Sequence, residues 1–267
     1  MPNPIIKSCL TILLLAVSAA GTARAEDPAL AKLFAEQGLE GTVVISSLRT
    51  GRSFVHNDAR ANRRLPVAST FKIMNTLIAL QERAIAGKDD TLHWDGQIRD
   101  FPDWNRDQTL ASAFKVSCVW CYQELARRIG ADAYRRYLQQ TDYGELREPF
   151  ALTEFWLDGS LQISAAEQVE FLRKLVRRSL PFDEFAYDTL RDIMLAEQNP
   201  DYALRAKTGW AARANPQIGW YVGYVEAKGE VWLFALNIDL RGQDDLALRQ
   251  SLTRKALAAK GIIGDTS

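Results

Sequence analysis

Hydrophobic and polar positions along the chain predict strands near both ends and helices between them. β-Branched and apolar residues indicate a hairpin formed by residues 41–46 and 52–56. Apolar or alternating stretches predict three further strands over residues 204–210, 218–226 and 230–240. We therefore expect an antiparallel sheet that takes its strands from both ends of the chain.

Helical periodicity dominates the rest of the chain. Ser164 and Glu167 form a capping-box pattern in front of one amphipathic segment, and Gly38 and Gly130 follow two others. The fold class is therefore α+β, an α/β sandwich in which terminal helices flank the sheet and an all-helical subdomain of about residues 65–197 is inserted. The predicted helices cover residues 28–37, 67–87, 110–129, 131–141, 164–178, 185–195 and 244–260.

The composition excludes several classes of protein. Of the 267 residues, 47% are hydrophobic and 25% are charged, and 33 basic residues balance 33 acidic ones. A chain with this balance is neither disordered nor a polybasic nucleic-acid binder. Its length suits one large domain or two interlocked ones, with a substantial core.

The first 25 residues have the pattern of a secretory signal peptide. Lys7 precedes an apolar run over residues 10–20, and Ala23-Arg24-Ala25 is a typical cleavage site. The run is too short to span a bilayer, and an uncleaved anchor is the alternative interpretation. We expect residues 1–25 to be removed, which leaves a single periplasmic domain over residues 26–267 without a membrane anchor.

Two cysteines, Cys118 and Cys121, follow the predicted signal peptide. Their C-x-x-C spacing is a redox motif in a thioredoxin context. Here the pair lies within the predicted helix over residues 110–129, with no strand before it. We therefore interpret both as small residues that face the core, and whether they form a disulfide stays open.

The two histidines give little support to histidine chemistry. His56 lies on the predicted hairpin and His93 in a loop, so a Ser-His-Asp triad is open on counting alone. No G-x-S-x-G nucleophile motif is present in the sequence. The spacings H-x-H and H-E-x-x-H are also missing, which argues against a histidine-based zinc hydrolase. We predict no metal site.

A serine and a lysine three residues apart form a sharper candidate. Ser69 follows Pro66-Val67-Ala68, where a loop becomes an apolar helix, and Lys72 returns to the same face one turn later. Burial among residues such as Phe71 and Ile73 lowers the pKa of a lysine, and a neutral lysine beside a serine is a nucleophile and base pair. Taken alone, Ser69 also has the features of a helix N-cap.

Two further patterns decide how this S-x-x-K motif is interpreted. A second match, Ser112-Ala-Phe-Lys115, lies within a predicted helix and shows how readily the spacing arises. Lys207-Thr-Gly209 stands at the end of a predicted strand, where a glycine lets a ligand approach the backbone. S-x-x-K followed by K-T-G is the signature of penicillin-recognising serine enzymes.

With these motifs the chain resembles the class D, oxacillinase-type β-lactamases over nearly all of residues 26–267. The resemblance implies the β-lactamase/transpeptidase-like fold. The sequence departs from the family's Y-G-N motif, because Tyr143-Gly144 is followed by Glu145. We give Glu145 no catalytic role and expect it to alter local packing or loop mobility. The matching motifs are Ser69-Thr-Phe-Lys72, Ser117-Cys-Val119, Phe155-Trp-Leu-Asp-Gly159 and Lys207-Thr-Gly209-Trp210.

The resemblance implies roles for particular residues. Ser69 is implied as the nucleophile, Lys72, carboxylated by CO2, as the general base, and Ser117 as a proton relay. Trp156 is implied to hold the carboxylated lysine. The backbone N–H groups of Ser69 and Trp210 are implied to form the oxyanion hole. The implied substrate-binding residues are Val119, Leu157, Lys207, Thr208, Gly209 and Arg249.

The function implied by the resemblance is hydrolysis of penicillin-type β-lactams, which confers antibiotic resistance. The expected partner is a small β-lactam and not a nucleic acid, the expected state is a monomer or homodimer, and no cofactor is needed beyond the CO2 on Lys72. One alternative is a penicillin-binding transpeptidase or a β-lactam sensor domain, which acylates but deacylates slowly. A secreted binding module with chance motifs is another. The substrate spectrum and the response to inhibitors stay open.

Overall fold

A six-stranded antiparallel sheet joins the two ends of the chain in this computed structural model, which describes residues 24–264. The predicted signal peptide lies outside the described residues, apart from Arg24 and Ala25. The strands are β1 (Gly41–Ser47), β2 (Ser53–His56), β3 (Leu65–Pro66), β4 (Thr91–Leu92), β5 (Gln108–Thr109), β6 (Glu145–Leu146), β7 (Leu161–Ile163), β8 (Leu195–Gln198), β9 (Tyr202–Ala211), β10 (Gln217–Ala227) and β11 (Glu230–Leu240).

The helices lie mainly between β2 and β8, with one more at each end of the described chain. A 3₁₀ turn over Ala68–Phe71 leads directly into the third helix. The helices are α1 (Pro28–Gln37), α2 (Asp58–Ala61), α3 (Lys72–Gln81), α4 (Leu110–Lys115), α5 (Val119–Ile129), α6 (Ala131–Thr141), α7 (Ala165–Val176), α8 (Glu184–Ile193) and α9 (Leu248–Ala259).

The strand order of the main sheet is β2-β1-β11-β10-β9-β8. The N-terminal hairpin therefore pairs with the last strand, in a register that sets Val43 opposite Leu236. This arrangement confirms the predicted sheet built from both chain ends and the α+β fold class. The prediction that the insert is all-helical is wrong, because it also contains two small antiparallel sheets, β3-β7-β6 and β4-β5. At the β10–β11 turn, Lys228 and Gly229 both have positive φ, as a two-residue hairpin turn requires.

Apolar residues cover both faces of the sheet. Along β11, Leu233 and Ala235 join the core beneath the inserted helices, whereas Phe234 and Leu236 join a second core on the other face. This division follows from the two-residue alternation of a strand. The second core is closed by α1 and α9, so the terminal helices shield the face opposite the inserted helices.

Several predicted helices have different boundaries in the structure, among them the segment predicted over 244–260, which begins as a 3₁₀ turn over Gln243–Ala247 before α9 starts at Leu248. The segment predicted over 67–87 begins with the 3₁₀ turn and its α-helix ends at Gln81. The segment predicted over 185–195 ends at Ile193, and Leu195 begins β8. The segment predicted over 110–129 is two helices, α4 and α5, and the break between them contains Ser117.

Candidate active site

The serine and lysine of the first motif meet where the 3₁₀ turn becomes α3. Ala68, directly before Ser69, has a φ of 49°, a left-handed conformation that is unfavourable for residues other than glycine. The Thr70 hydroxyl donates to the carbonyl of Val67 at 2.6 Å and braces the turn. Lys72 Nζ lies 3.1 Å from Ser69 Oγ. This distance is within reach for proton transfer between a nucleophile and its base.

Lys72 is buried among aromatic side chains. Its side chain is 1% exposed, and its Nζ lies 4.8 Å from the ring centroid of Tyr122 on α5. Loss of hydration disfavours the charged ammonium, so burial lowers the pKa of Lys72 from its ordinary 10.5 to about 7. Near neutral pH, a substantial fraction of this amine is therefore unprotonated.

Trp156 lies in the same hydrophobic core as Phe71 and Tyr122 and carries a buried indole N–H. It is 1% exposed, and its ring stacks on Phe71 at a centroid distance of 6.1 Å and meets Phe155 edge-on at 5.0 Å. Among residues 24–264, the indole N–H finds no hydrogen-bond acceptor. An unpaired donor in a buried position costs about 1–3 kcal/mol, so this N–H is a strong candidate to bind a group added to the site.

Ser117 lies at the break between α4 and α5 and contacts the K-T-G strand. Its φ is 55°, and its Oγ lies 2.5 Å from Lys207 Nζ. The two cysteines of the S-C-V-W-C segment are fully buried and joined by a disulfide. The interpretation that they lie in mid-helix is wrong, because Cys118 is the N-cap of α5.

The K-T-G segment lies on β9, where Lys207 is 3% exposed and pairs with Val222 of β10. Lys207 Nζ also donates to the Thr208 carbonyl at 3.0 Å. Burial, and then the positive charges of Lys72 and Arg249, hold the pKa of Lys207 well below its usual range.

Gly209 brings β9 close to the nucleophile turn. A Cβ at this position would lie 2.9 Å from Thr70 Cγ2 and 3.3 Å from the backbone nitrogen of Thr70. The close approach here is therefore to the turn that carries Ser69. A contact between Gly209 and a ligand stays a prediction.

Arg249 on α9 reaches the same stretch of β9. Its Nη1 donates to the Gly209 carbonyl at 2.7 Å and its Nε to the Leu246 carbonyl at 2.6 Å. Burial lowers the pKa of Arg249 to about 10. Its guanidinium fork has further N–H donors beyond these two bonds, as recognition of a carboxylate requires.

The remaining residues implied by the resemblance lie around this centre. The Ala206 N–H donates to the Met194 carbonyl, on the side of β9 that faces β8. Every second residue of a strand points its N–H to the same side, so the Trp210 N–H also points away from β10. Val119 begins α5, and Leu157 follows Trp156; both are partly buried. Substrate contact by Val119 and Leu157 stays a prediction.

Glu145 lies in a surface ion-pair cluster. Its carboxylate is 2.5 Å from Arg64 Nη1, and Arg64 also pairs with Glu167 at 2.6 Å. Gly144 before it has a φ of 61°, and a Cβ there would lie 2.2 Å from the Gln162 carbonyl, which explains the glycine. The expected change in packing is therefore a charged pair with Arg64 at the surface.

The other sequence candidates lie in structural roles. The ring of His56 bonds Glu26, and the exposed His93 bonds Asp107, so both pair with carboxylates outside the Ser69 site. Thr109 is the N-cap of α4, and Ser112 completes its capping box by accepting from the Thr109 N–H, so the serine of the second S-x-x-K match has a structural role. Within residues 24–264, no three His, Cys, Asp or Glu side chains form a group that could hold a metal ion.

Sequence reasoning missed two contributions to the site. Tyr122 lies beneath Lys72 Nζ and donates to, or accepts from, the Thr76 hydroxyl at 2.8 Å. The role of Tyr122 becomes visible only when α5 is known to begin at Val119, because Tyr122 then lies one turn later on the same helix face as Val119. Trp104 joins the α4–α5 junction by donating to the Val116 carbonyl at 2.9 Å.

Comparison with known proteins agrees with this geometry. The penicillin binding protein transpeptidase domain family model matches residues 41–258. β-Lactamase OXA-48 of Klebsiella pneumoniae is 43% identical over 230 residues, which are 86% of this chain and 87% of the relative. β-Lactamase OXA-2 of Salmonella typhimurium is 41% identical over 229 residues, which are 85% of this chain and 82% of the relative.

A solved structure gives the same result. The class D β-lactamase YbXI from Nostoc superimposes with a TM-score of 0.86 at 43% identity, covering 88% of this chain and 99% of that one. The family model spans more than half of the chain, and the relatives are well above 30% identical over most of its length. The chain therefore belongs to the class D serine β-lactamases, which hydrolyse β-lactam antibiotics.

Proposed function

We propose that the enzyme opens the β-lactam ring through an acyl-enzyme on Ser69, with Lys72 as the general base. The observation that carries this proposal is the 3.1 Å separation between Ser69 Oγ and the buried Lys72 Nζ. Burial lowers the pKa of Lys72 to about 7, so near neutral pH a substantial fraction of this amine is unprotonated and able to react with CO2. In acylation, Ser69 Oγ gives up its proton and bonds to the lactam carbonyl carbon.

Lys72 is proposed to be carboxylated by CO2. The site fits the modification, because a substantial fraction of the amine is unprotonated near neutral pH and the buried N–H of Trp156 has no acceptor among the described residues. Once formed, the carbamate would supply carboxylate-type oxygens that can accept a proton from Ser69 in acylation and from the hydrolytic water in deacylation. Trp156 would donate its indole N–H to the modified side chain, and the aromatic neighbours would exclude bulk water.

Ser117 is proposed to deliver a proton to the lactam nitrogen as the C–N bond breaks. Its Oγ lies 2.5 Å from Lys207 Nζ, so a proton leaving the serine can be replaced from the lysine. The lowered pKa of Lys207 makes the ammonium a readier proton donor than an ordinary lysine.

The backbone N–H groups of Ser69 and Trp210 are proposed to stabilise the oxyanion. Lys207, Thr208 and Arg249 would bind the carboxylate that penicillins carry. The Lys207 amine and the Thr208 hydroxyl on β9 lie near the Arg249 guanidinium, which reaches β9 from α9, and this proximity supports the assignment. Val119, Leu157 and Gly209 would line the remaining contact with the substrate.

Antibiotic resistance through action in the periplasm completes the proposal. The signal-peptide pattern of residues 1–25 supports export. In the part of the chain that the structure describes, none of the helices has the length and apolar character needed to cross a bilayer. A small β-lactam is the proposed partner, and a monomer or homodimer the proposed state.

Steady-state hydrolysis of a chromogenic penicillin tests the proposal against the slow-deacylating alternative. We expect many turnovers per enzyme, a loss of turnover in Ser69→Ala, and a fall in rate when bicarbonate is removed that is restored when it is added back. A single stoichiometric burst would identify a transpeptidase or sensor. Full activity in CO2-free buffer at low pH would remove the role of carboxylated Lys72, and full activity of Ser69→Ala would remove the acyl-enzyme on Ser69.

A further inference from the structure

Ser117 occupies a demanding backbone position at the junction between α4 and α5. Its N–H donates to the Phe114 carbonyl at 3.2 Å, and the N–H of Cys118 donates to the Ala113 carbonyl at 2.9 Å. This pair of bonds is the Schellman motif that ends a helix, with Ser117 in its left-handed position at a φ of 55°. Glycine is the usual residue there, because a Cβ disfavours positive φ. The conformation of Ser117 therefore depends on the segments that flank it.

The segment after Ser117 is covalently closed. Cys118 is the N-cap of α5, and its sulfur accepts a hydrogen bond from the Cys121 N–H at 3.2 Å. A disulfide joins the same two residues, and both are fully buried. A capping box ties the N-cap to the third helical residue by hydrogen bonds alone. Here a covalent bond makes that connection, at the residue directly after Ser117.

The junction sets two contacts of the site at once. On one side, Ser117 Oγ lies 2.5 Å from Lys207 Nζ on β9. On the other side, α5 carries Tyr122, whose ring centroid lies 4.8 Å from Lys72 Nζ. If the first turn of α5 unwinds, Ser117 is free to leave the left-handed region, and its Oγ moves away from Lys207.

We propose that the Cys118–Cys121 disulfide is a positioning device that holds Ser117 in its left-handed conformation with its Oγ on Lys207. Cys118 and Cys121 are positioning residues, because they act on the reaction only through Ser117. The proposal rests on the proton relay assigned above to Ser117. It predicts that loss of the cross-link slows the step that uses this relay, in addition to any effect on stability.

Two double variants separate the covalent bond from the cap that it closes. Cys118→Ala with Cys121→Ala removes both the disulfide and the side-chain acceptor of the N-cap. Cys118→Ser with Cys121→Ser removes the disulfide and restores a good N-cap acceptor. Alkylation mapping of the denatured wild-type protein, with and without prior reduction, first establishes that the two cysteines are joined. Free thiols at both positions in the unreduced protein would overturn the proposal.

The acylation rate of each double variant is then measured with a chromogenic penicillin, at a temperature well below the melting temperature of that variant. The same measurement is made on each double variant that also carries Ser117→Ala. We expect both double variants to acylate about tenfold more slowly than the wild-type enzyme. A tenfold loss corresponds to about 1.4 kcal/mol in the free energy needed to hold Ser117 in its left-handed conformation. In the Ser117→Ala background, removing the disulfide should have no further effect, because no hydroxyl remains to be positioned.

The outcomes distinguish this inference from the proposed function. If Ser117→Ala is slow but both double variants match wild type, the relay stands and the disulfide has no positioning role. If the serine double variant matches wild type and the alanine one does not, the cap is sufficient and the covalent bond is not needed. Equal losses with and without the Ser117 hydroxyl mean general destabilisation and overturn the inference. Wild-type rates in Ser117→Ala remove the relay and the inference together.

Discussion

Replacing Trp156 by Phe tests the unpaired indole N–H of the site. The substitution removes this N–H and keeps an aromatic ring against Phe71 and Phe155. In the unmodified enzyme the N–H has no acceptor among residues 24–264, so its loss relieves a penalty of about 1–3 kcal/mol. The smaller ring leaves a void whose cost, of about 1 kcal/mol or more, works in the opposite direction. Without CO2, the free energy of unfolding should therefore change little.

With CO2 present, the same substitution should have a large effect. A hydrogen bond to a charged acceptor contributes about 1.5–3 kcal/mol, which corresponds to a roughly 10- to 160-fold loss in affinity of Lys72 for CO2. Trp156→Phe should therefore acylate and then deacylate slowly at low bicarbonate, and recover turnover as bicarbonate rises. Trp156→Ala should accumulate acyl-enzyme in the same way, with an added loss of stability from the larger cavity.

Stopped-flow acylation and deacylation rates over a bicarbonate series measure this effect. Trp220→Phe is a matched control, because Trp220 is also fully buried but its indole N–H already donates to the Pro66 carbonyl at 2.9 Å. That variant should lose stability, since the Pro66 carbonyl loses its partner, and keep the wild-type dependence on bicarbonate. Trp156→Phe with wild-type deacylation and wild-type bicarbonate dependence would refute the reasoning.

Three further predictions address charge in the site. The pKa of Lys72 is about 7 in the folded enzyme and an ordinary 10.5 in the unfolded chain. Turnover should therefore fall as the pH drops below about 7, because the amine becomes protonated. Between about pH 7 and 10.5 only the unfolded chain binds this proton, so the free energy of unfolding should rise with pH, and it should rise less steeply in Lys72→Met. pH–rate profiles and denaturant titrations measure both effects, and a flat acid limb would contradict the first. Arg249→Lys should raise KM for penicillins about tenfold with little change in kcat, because a lysine lacks the bidentate fork; an unchanged KM would count against carboxylate binding by Arg249. Glu145→Asn should change the free energy of unfolding by less than about 1 kcal/mol and leave turnover intact, because its pair with Arg64 is solvent-exposed; a severe loss of turnover would show a role in the reaction.

Local sequence patterns were sufficient to predict five of the six strands of the main sheet. The strands near the two chain ends have strong β-branched and alternating patterns, and these patterns survive in the fold because each strand is buried on at least one face. Likewise, the capping box of Ser164 and Glu167 depends only on neighbouring residues, and both of its hydrogen bonds are present. β8 was not predicted: the predicted helix ran to Leu195, and residues 195–198 become a strand only by pairing with β9.

The α4–α5 break shows why part of the site could not be predicted. Residues 110–129 have continuous helical periodicity, and no glycine or proline marks the position of Ser117. The break is held by tertiary contacts instead, among them the hydrogen bond that Lys207 Nζ, 90 residues later in the chain, donates to Ser117 Oγ. Motif order identified Ser117 as a candidate, whereas its left-handed backbone and the disulfide beside it required the structure.

The carboxylation of Lys72 is the central claim, and carbon-13 NMR tests it most directly. The enzyme is equilibrated with carbon-13 bicarbonate near pH 7.5, and the spectrum is compared with that of Lys72→Ala prepared in the same way. The account predicts one protein-bound carbamate resonance in the wild-type enzyme that is missing in Lys72→Ala and weakened in Trp156→Phe. A wild-type enzyme that turns over penicillin at full rate without this resonance would contradict it.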